Sequence, residues 1–214
     1  MNTLELIKKH RFIAILRHIP AHTIEGVTRA LHEGGIRIIE VTFNPSNPNT
    51  LEETKEIIQT IKRTYGNEIS VGAGTVLNVE YARAAWEAGA EFIVSPCTKE
   101  SVISFTKEHG MLSIPGAYTP TEIVTAYDLG ADIVKVFPVA PNEVGYLKNV
   151  MSPLSHIPFI PTGGINPNTV EDFLNTGAVA VAAGATVVTK ELAENGDWAI
   201  ITANAKKHAE LAAK

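Results

Sequence analysis

Eight short and almost uninterrupted apolar runs recur along the chain, at residues 12–16, 37–42, 70–74, 92–96, 112–116, 133–138, 159–163 and 179–184. The amphipathic stretches between them are long enough for helical crossovers. A strand that reads as continuous hydrophobe is buried on both faces, which is the condition of parallel sheets covered by helices. The glycines keep the same beat. Gly34-Gly35, Gly89, Gly110, Gly130 and Gly177 each stand a few residues ahead of the next strand, where a helix end is closed by left-handed backbone. Helix starts are marked as well. Thr119-Pro120-Thr121-Glu122 combines an N-cap, a proline at the first helical position and a capping-box glutamate. Asn49 with Glu52, and Asn166-Pro167 ahead of the next-to-last helix, are expected to open helices in a similar way. The cycle of about 20–30 residues is that of successive βα units.

Eight such units close into a barrel or open into a doubly wound sheet. The open sheet usually carries a dinucleotide fingerprint, G-x-G-x-x-G, after its first strand. Here that strand runs into Leu16-Arg17-His18-Ile19-Pro20, without a glycine, and Gly72-Ala73-Gly74-Thr75 lacks the third one. The expected fold is therefore a (β/α)8 TIM barrel forming one domain over residues 1–214, with a short N-terminal helix. Composition removes other classes. A net charge of -5 with no basic stripe argues against a nucleic-acid partner. No run approaches the roughly 20 apolar residues of a membrane span, and residues 1–9 lack the unbroken apolar stretch of a signal peptide. The lone Cys97 leaves no internal disulfide and fits a reducing cytoplasm.

In a barrel every second strand residue points inward, and the catalytic end is the C-terminal one. Polar residues at late, inward positions are thus the candidates for chemistry. Lys135 lies inside Ile133-Val134-Lys135-Val136-Phe137-Pro138, whereas the other lysines have polar surroundings. Burial lowers the pKa of an amine and supplies the free base that a Schiff-base nucleophile requires. Glu40, in Ile38-Ile39-Glu40-Val41-Thr42, is a second buried charge; if Ile38 faces inward, so does Glu40, placed to relay protons. Arg17 ends the first strand in phase with Ile13 and Ile15, and Thr75 and Thr162 end the third and seventh; together they offer a guanidinium and two hydroxyls to a carboxylate. Lys135 and Glu40 alone suit a structural ion pair equally well, but burying such a pair adds little stability. Five polar groups converging from five strands favour a site.

Pro161-Thr162-Gly163-Gly164-Ile165-Asn166-Pro167 and Ala183-Gly184-Ala185-Thr186 follow the last two strands. In many barrels the loops at these places hold phosphate through backbone N–H groups, although a tight turn also explains a glycine pair. Of the seven histidines only His18 and His22 stand four apart, none falls inside a strand, and no metal or cofactor is expected.

Taken in order, Ile15-Leu16-Arg17, Ile39-Glu40-Val41-Thr42, Gly72-Ala73-Gly74-Thr75-Val76, Ser95-Pro96, Ile114-Pro115-Gly116, Lys135-Val136-Phe137-Pro138 and Pro161-Thr162-Gly163-Gly164-Ile165 resemble the 2-keto-3-deoxy-6-phosphogluconate (KDPG) aldolase family, including its members that cleave 4-hydroxy-2-oxoglutarate (KHG). The resemblance implies a class I aldolase releasing pyruvate and an aldehyde, in a cytoplasmic homotrimer that needs no metal. It implies that Lys135 forms the Schiff base and Glu40 shuttles protons. Arg17, Thr75 and Thr162 are then the carboxylate ligands, Pro96 and Phe137 the pocket walls, and Gly163, Gly164, Gly184 and Ala185 the cradle for the far end of the substrate. Two positions depart from the family. Phe43-Asn44-Pro45 stands where many members carry an arginine, and Gly184-Ala185 where a serine usually follows glycine. These departures bear on substrate choice: KDPG, KHG or the galactonate epimer of KDPG. Three rivals remain on sequence grounds: a metal-dependent pyruvate aldolase, a phosphosugar isomerase or epimerase with Glu40 as base, and a phosphate-binding module.

Overall fold

In the computed structural model, which describes residues 2–214, the apolar runs form a ring of parallel strands with the helices outside. The strands are β1 (Phe12–Leu16), β2 (Ile38–Thr42), β3 (Ser70–Gly74), β4 (Phe92–Val94), β5 (Leu112–Ile114), β6 (Gly116–Ala117), β7 (Val134–Val139), β8 (Phe159–Gly163) and β9 (Val181–Ala183). Their order around the sheet is β5-β4-β3-β2-β1-β9-β8-β7-β6. Nine segments fill eight strand positions because Pro115, with no N–H to give a ladder, divides the fifth run. Its first half pairs with β4 and its second with β7. Across the break, Ile133 N donates to Ser113 O (3.3 Å) and Lys135 N to Pro115 O (2.9 Å), so the ring joins up around the split strand. The expected eight-unit barrel is what forms.

The helices are α1 (Thr3–His10), α2 (Ile24–Glu33), α3 (Thr50–Tyr65), α4 (Val79–Glu87), α5 (Glu100–Glu108), α6 (Pro120–Asp128), α7 (Val144–Met151), α8 (Val170–Leu174), α9 (Lys190–Asn195) and α10 (Trp198–Ala212). The capping box at Thr119 and Glu122 opens α6 as expected. Two other starts differ from expectation. Asn49 occupies the N-cap of α3, yet its side chain makes no cap bond. Asn166 folds its side chain back onto Asn168 N (2.9 Å), an Asx turn that delays α8 until Val170. That helix is followed by two more, so it is not the next-to-last.

Two apolar clusters result. One lies between the strands and the helices; the other fills the barrel and contains Ile13, Ile38, Phe92, Ile114, Ile133 and Ile160. Glycines on the inner face of β3 make room for larger neighbours. A Cβ on Gly72 would overlap the Phe92 ring. The N-terminal end of the barrel is sealed by α1, whose Ile7 is fully buried in the interior cluster and contributes about 1.5–3 kcal/mol of burial. Thr3 Oγ1 and Ser70 Oγ both donate to Glu91 Oε2, at 2.9 and 2.6 Å, and pin that plug to β3. With one end closed, polar groups in the barrel gather at the other.

Candidate active site

Ile13, Ile38, Ile133 and Ile160 all belong to the interior cluster, so the two-residue period carries Arg17, Glu40, Lys135 and Thr162 inward above them. Ile38, Glu40 and Thr42 therefore share the inner face, as the sequence suggested. Lys135, 4% exposed, is the second residue of β7 and pairs with Gly116 of β6, where no side chain competes for space. Its Nζ lies 4.9 Å from the centre of the Phe137 ring, a cation–π distance. Glu40 is 1% exposed and Thr162 is 5% exposed.

Lys135 and Glu40 are not an ion pair. No contact within 4.0 Å joins them among the described residues. Glu40 Oε1 and Thr162 Oγ1 are buried without any hydrogen-bond partner among the described residues. Buried polar atoms are satisfied in the great majority of cases, and an orphan calls for an explanation. Two orphans inside a barrel that also buries an amine are what a site shaped for a polar ligand presents. Burial holds the Lys135 amine below its ordinary 10.5; the Glu40 carboxylate works against that shift and the Arg17 guanidinium adds to it. Gly74 supplies the clearance for Glu40, since a Cβ there would stand 2.6 Å from the carboxyl carbon.

Above this layer a cavity of about 510 Å³ opens between the ends of β1, β7, β8 and β9. That volume suits a small metabolite. Arg17, Phe137, Thr162, Gly163, Gly184 and Ala185 line it. Thr75, Pro96 and Gly164 do not, and neither do Lys135 and Glu40, which are buried rather than part of the cavity lining. Thr75 is half-buried just beyond β3 with a left-handed backbone (φ 57°), and Pro96 packs its backbone against Gly116. The glycine pair after β8 is accounted for by packing. A Cβ on Gly163 would lie 2.9 Å from Val139 N and one on Gly164 2.6 Å from Ala140 C, while the Gly164 N–H already donates to Val139 O at 2.6 Å.

The sequence reading passed over two basic side chains at the cavity rim, His18 and Lys190. With Arg17 they make three basic side chains in a lining that holds no carboxylate. His18 stands next to Arg17 and takes a left-handed backbone (φ 58°), which turns it toward the mouth. Its place directly after a strand-ending arginine was the available clue; Lys190, in an ordinary helix start, offered none. Cys97 is exposed. Among the described residues no group of three or more His, Cys, Asp or Glu side chains is placed to hold a metal, and no helix is long and apolar enough to cross a membrane. A second cavity, of about 450 Å³, lies at the opposite end of the barrel among Lys9, Arg37, Lys206, Glu33 and Glu210. Its charges are mixed, and neither orphaned buried atom lies there.

Comparison with known proteins agrees with this arrangement. Residues 4–204 match the family described as KDPG and KHG aldolase. The chain is 35% identical over 195 residues to a 2-dehydro-3-deoxy-phosphogluconate aldolase of Treponema pallidum, covering 88% of this chain and 90% of that one. It is 34% identical over 185 residues to the KHG/KDPG aldolase of Escherichia coli, covering 86% and 84%. Among solved structures, the 2-keto-3-deoxy-6-phosphogluconate aldolase of Zymomonas mobilis superposes with a TM-score of 0.81 at 29% identity, over 98% of this chain and 97% of that one. A buried lysine with no ion-pair partner among the described residues, two orphaned buried oxygens and a cavity lined by Arg17, His18 and Lys190 thus occur in a chain that belongs to the KDPG and KHG aldolase family.

Proposed function

We propose that this single-domain chain is a class I aldolase that reversibly cleaves a 2-keto-4-hydroxy acid, KDPG or KHG, to pyruvate and glyceraldehyde 3-phosphate or glyoxylate. The observation that carries the reading is the Lys135 amine, buried without an ion-pair partner among the described residues in a barrel that also buries orphaned oxygens of Glu40 and Thr162. A depressed pKa enlarges the uncharged fraction of the amine, and the uncharged amine is the nucleophile. Lys135 gives its ammonium proton to the Glu40 carboxylate, the free Nζ attacks C2 to give a carbinolamine, and Glu40 returns that proton to the hydroxyl, which leaves as water. The resulting iminium is the electron sink. Glu40 takes the proton of the C4 hydroxyl, the C3–C4 bond breaks, and its electron pair forms the enamine as the aldehyde departs. Protonation at C3 and hydrolysis release pyruvate and return the free amine.

Arg17 and Thr162 bind the pyruvyl carboxylate, and Phe137 forms the wall beside it. Thr75 and Pro96, at neighbouring strand ends, are assigned to the same pocket on the family's pattern. The distal group lies against Gly163, Gly184 and Ala185, with Gly164 as support through its bond to Val139, within reach of His18 and Lys190 at the rim. Ala185 contributes no hydroxyl, so the cations carry more of the attraction here. The reaction requires no metal or cofactor, and we place the enzyme in the cytoplasm as a homotrimer. The test is borohydride reduction in the presence of pyruvate. A stable reduced pyruvate adduct on the peptide carrying Lys135 is the expected result; an unmodified peptide rules the mechanism out. Relative rates on KDPG, its galactonate epimer and KHG identify the substrate.

A further inference from the structure

Behind the wall formed by Gly184 and Ala185 lies a buried titratable group that the reaction does not use. His208, on α10, is 0% exposed and packs on the Phe12 ring with centroids 5.1 Å apart. Its Nδ1 is 2.8 Å from the Asn204 carbonyl. A carbonyl only accepts, so Nδ1 carries a proton. Burial holds the imidazole below its ordinary 6.5, which leaves Nε2 as an acceptor near neutral pH. The atom 3.2 Å from Nε2 is Thr186 Oγ1, so the hydroxyl is the donor. The same hydroxyl lies 3.3 Å from the carbonyl of Ile165, in the connection between β8 and α8. Its one hydrogen is shared between two acceptors, and the oxygen sits where the loops that supply Gly163 and Ala185 meet. Thr186 itself is absent from the cavity lining, its hydroxyl being turned back toward α10.

Core packing alone does not call for a histidine here. An imidazole placed among Phe12 and the apolar residues of α10 must be desolvated, which an aliphatic side chain avoids. What the imidazole adds is a fixed acceptor for one hydroxyl on the turn that forms the cavity wall. We propose that His208, acting through Thr186, is a positioning residue for the distal anionic group of the substrate, holding the turn after β9 against the loop after β8. The proposal rests on the aldolase reading given above.

The experiment compares Thr186→Val, His208→Leu, the double variant and His208→Gln. Thr186 is exposed and valine keeps its shape, so that variant does not depend on the core tolerating a change. Two readouts separate the halves of the site. Exchange of the pyruvate methyl protons in deuterium oxide needs only the Schiff-base machinery, whereas KM for KDPG also needs the distal wall. Thr186→Val and His208→Leu should each raise KM about fivefold, the worth of one neutral hydrogen bond. Proton exchange and kcat should stay within about twofold. The double variant should be no worse than either single, because both remove the same bond, and His208→Gln, which keeps an acceptor, should recover part of the loss. An unchanged KM in Thr186→Val, additive losses, or proton exchange falling in step with KM would overturn the positioning role. Absence of pyruvate exchange in the unaltered protein overturns the aldolase reading itself, a different failure.

Discussion

Thr162→Val separates ligand recognition from structure by the sign of two effects. The Thr162 hydroxyl is buried and has no hydrogen-bond partner among the described residues. Leaving such a group unsatisfied costs about 1–3 kcal/mol, and replacing it by an apolar group of the same shape removes that penalty. Valine is close in shape and suits a strand, so the variant should be more stable by about 1 kcal/mol. For a chain of this size that is a rise in Tm of roughly 2–4 °C. The hydroxyl's bond to a substrate carboxylate is worth about 1.5–3 kcal/mol, so KM should rise by roughly 10- to 150-fold. Calorimetry at fixed pH and steady-state pyruvate release measure the two. A lower Tm with an unchanged KM would mean that the hydroxyl serves the fold, and the assignment of Thr162 to the substrate would be withdrawn.

The other predictions concern the groups around it. Lys135→Met should abolish borohydride trapping and lower turnover by more than about 10³-fold, as read by mass spectrometry and initial rates. The same variant tests linkage. The folded-state pKa of Lys135 lies below 10.5, so between those two values the unfolded chain binds more protons, and folding stability gains from this residue as pH rises. A urea midpoint followed against pH should show that rise in the unaltered protein and a flatter curve in Lys135→Met. Gly74→Ala and Gly72→Ala form a matched pair, each overpacked and each expected to cost about 1–3 kcal/mol. A Cβ on Gly74 would overlap the Glu40 carboxylate, meeting its oxygen more closely still than the carboxyl carbon at 2.6 Å, so the carboxyl must retreat by more than about 1 Å. A displacement on the order of 1 Å costs about 10²-fold in rate. Gly74→Ala should lose that much kcat while Gly72→Ala, which presses on Phe92, should not; equal kcat values would refute the role of Gly74. Lys190→Ala should raise KM for a phosphorylated substrate severalfold with kcat unchanged. Because Lys190 is mostly exposed and shares its charge with Glu194 at 3.5 Å, the effect should shrink as ionic strength passes about 0.1 M; an effect that ignores salt counts against a charge interaction.

The architecture was legible because burial writes itself into composition. Strands covered on both sides must be apolar throughout, and helix ends that need left-handed backbone select glycine, as Gly35 (φ 91°) and Gly130 (φ 99°) show. Misreadings fell where a side chain had several backbone partners to choose from: Asn49 leaves its own helix uncapped, and Asn166 turns back on Asn168. The split of the fifth strand at Pro115 was visible only as a proline in an apolar run, since the hydrogen bonds that carry the ring past it come from Ile133 and Lys135, on another strand.

For the site, alternation along single strands is a local property, and by itself it places Lys135, Glu40, Arg17 and Thr162 on the inner face. Whether those groups pair with one another is a distance between strands, which no local pattern carries. The sequence by itself therefore determined a barrel with a buried lysine. Only the tertiary structure decided that, among the described residues, Lys135 and Glu40 do not meet within 4.0 Å, that Glu40 Oε1 and Thr162 Oγ1 are left without partners, and that His18 and Lys190 join Arg17 at the cavity. Those facts depend on the closure of the ring, which brings residues remote in sequence to one end of it.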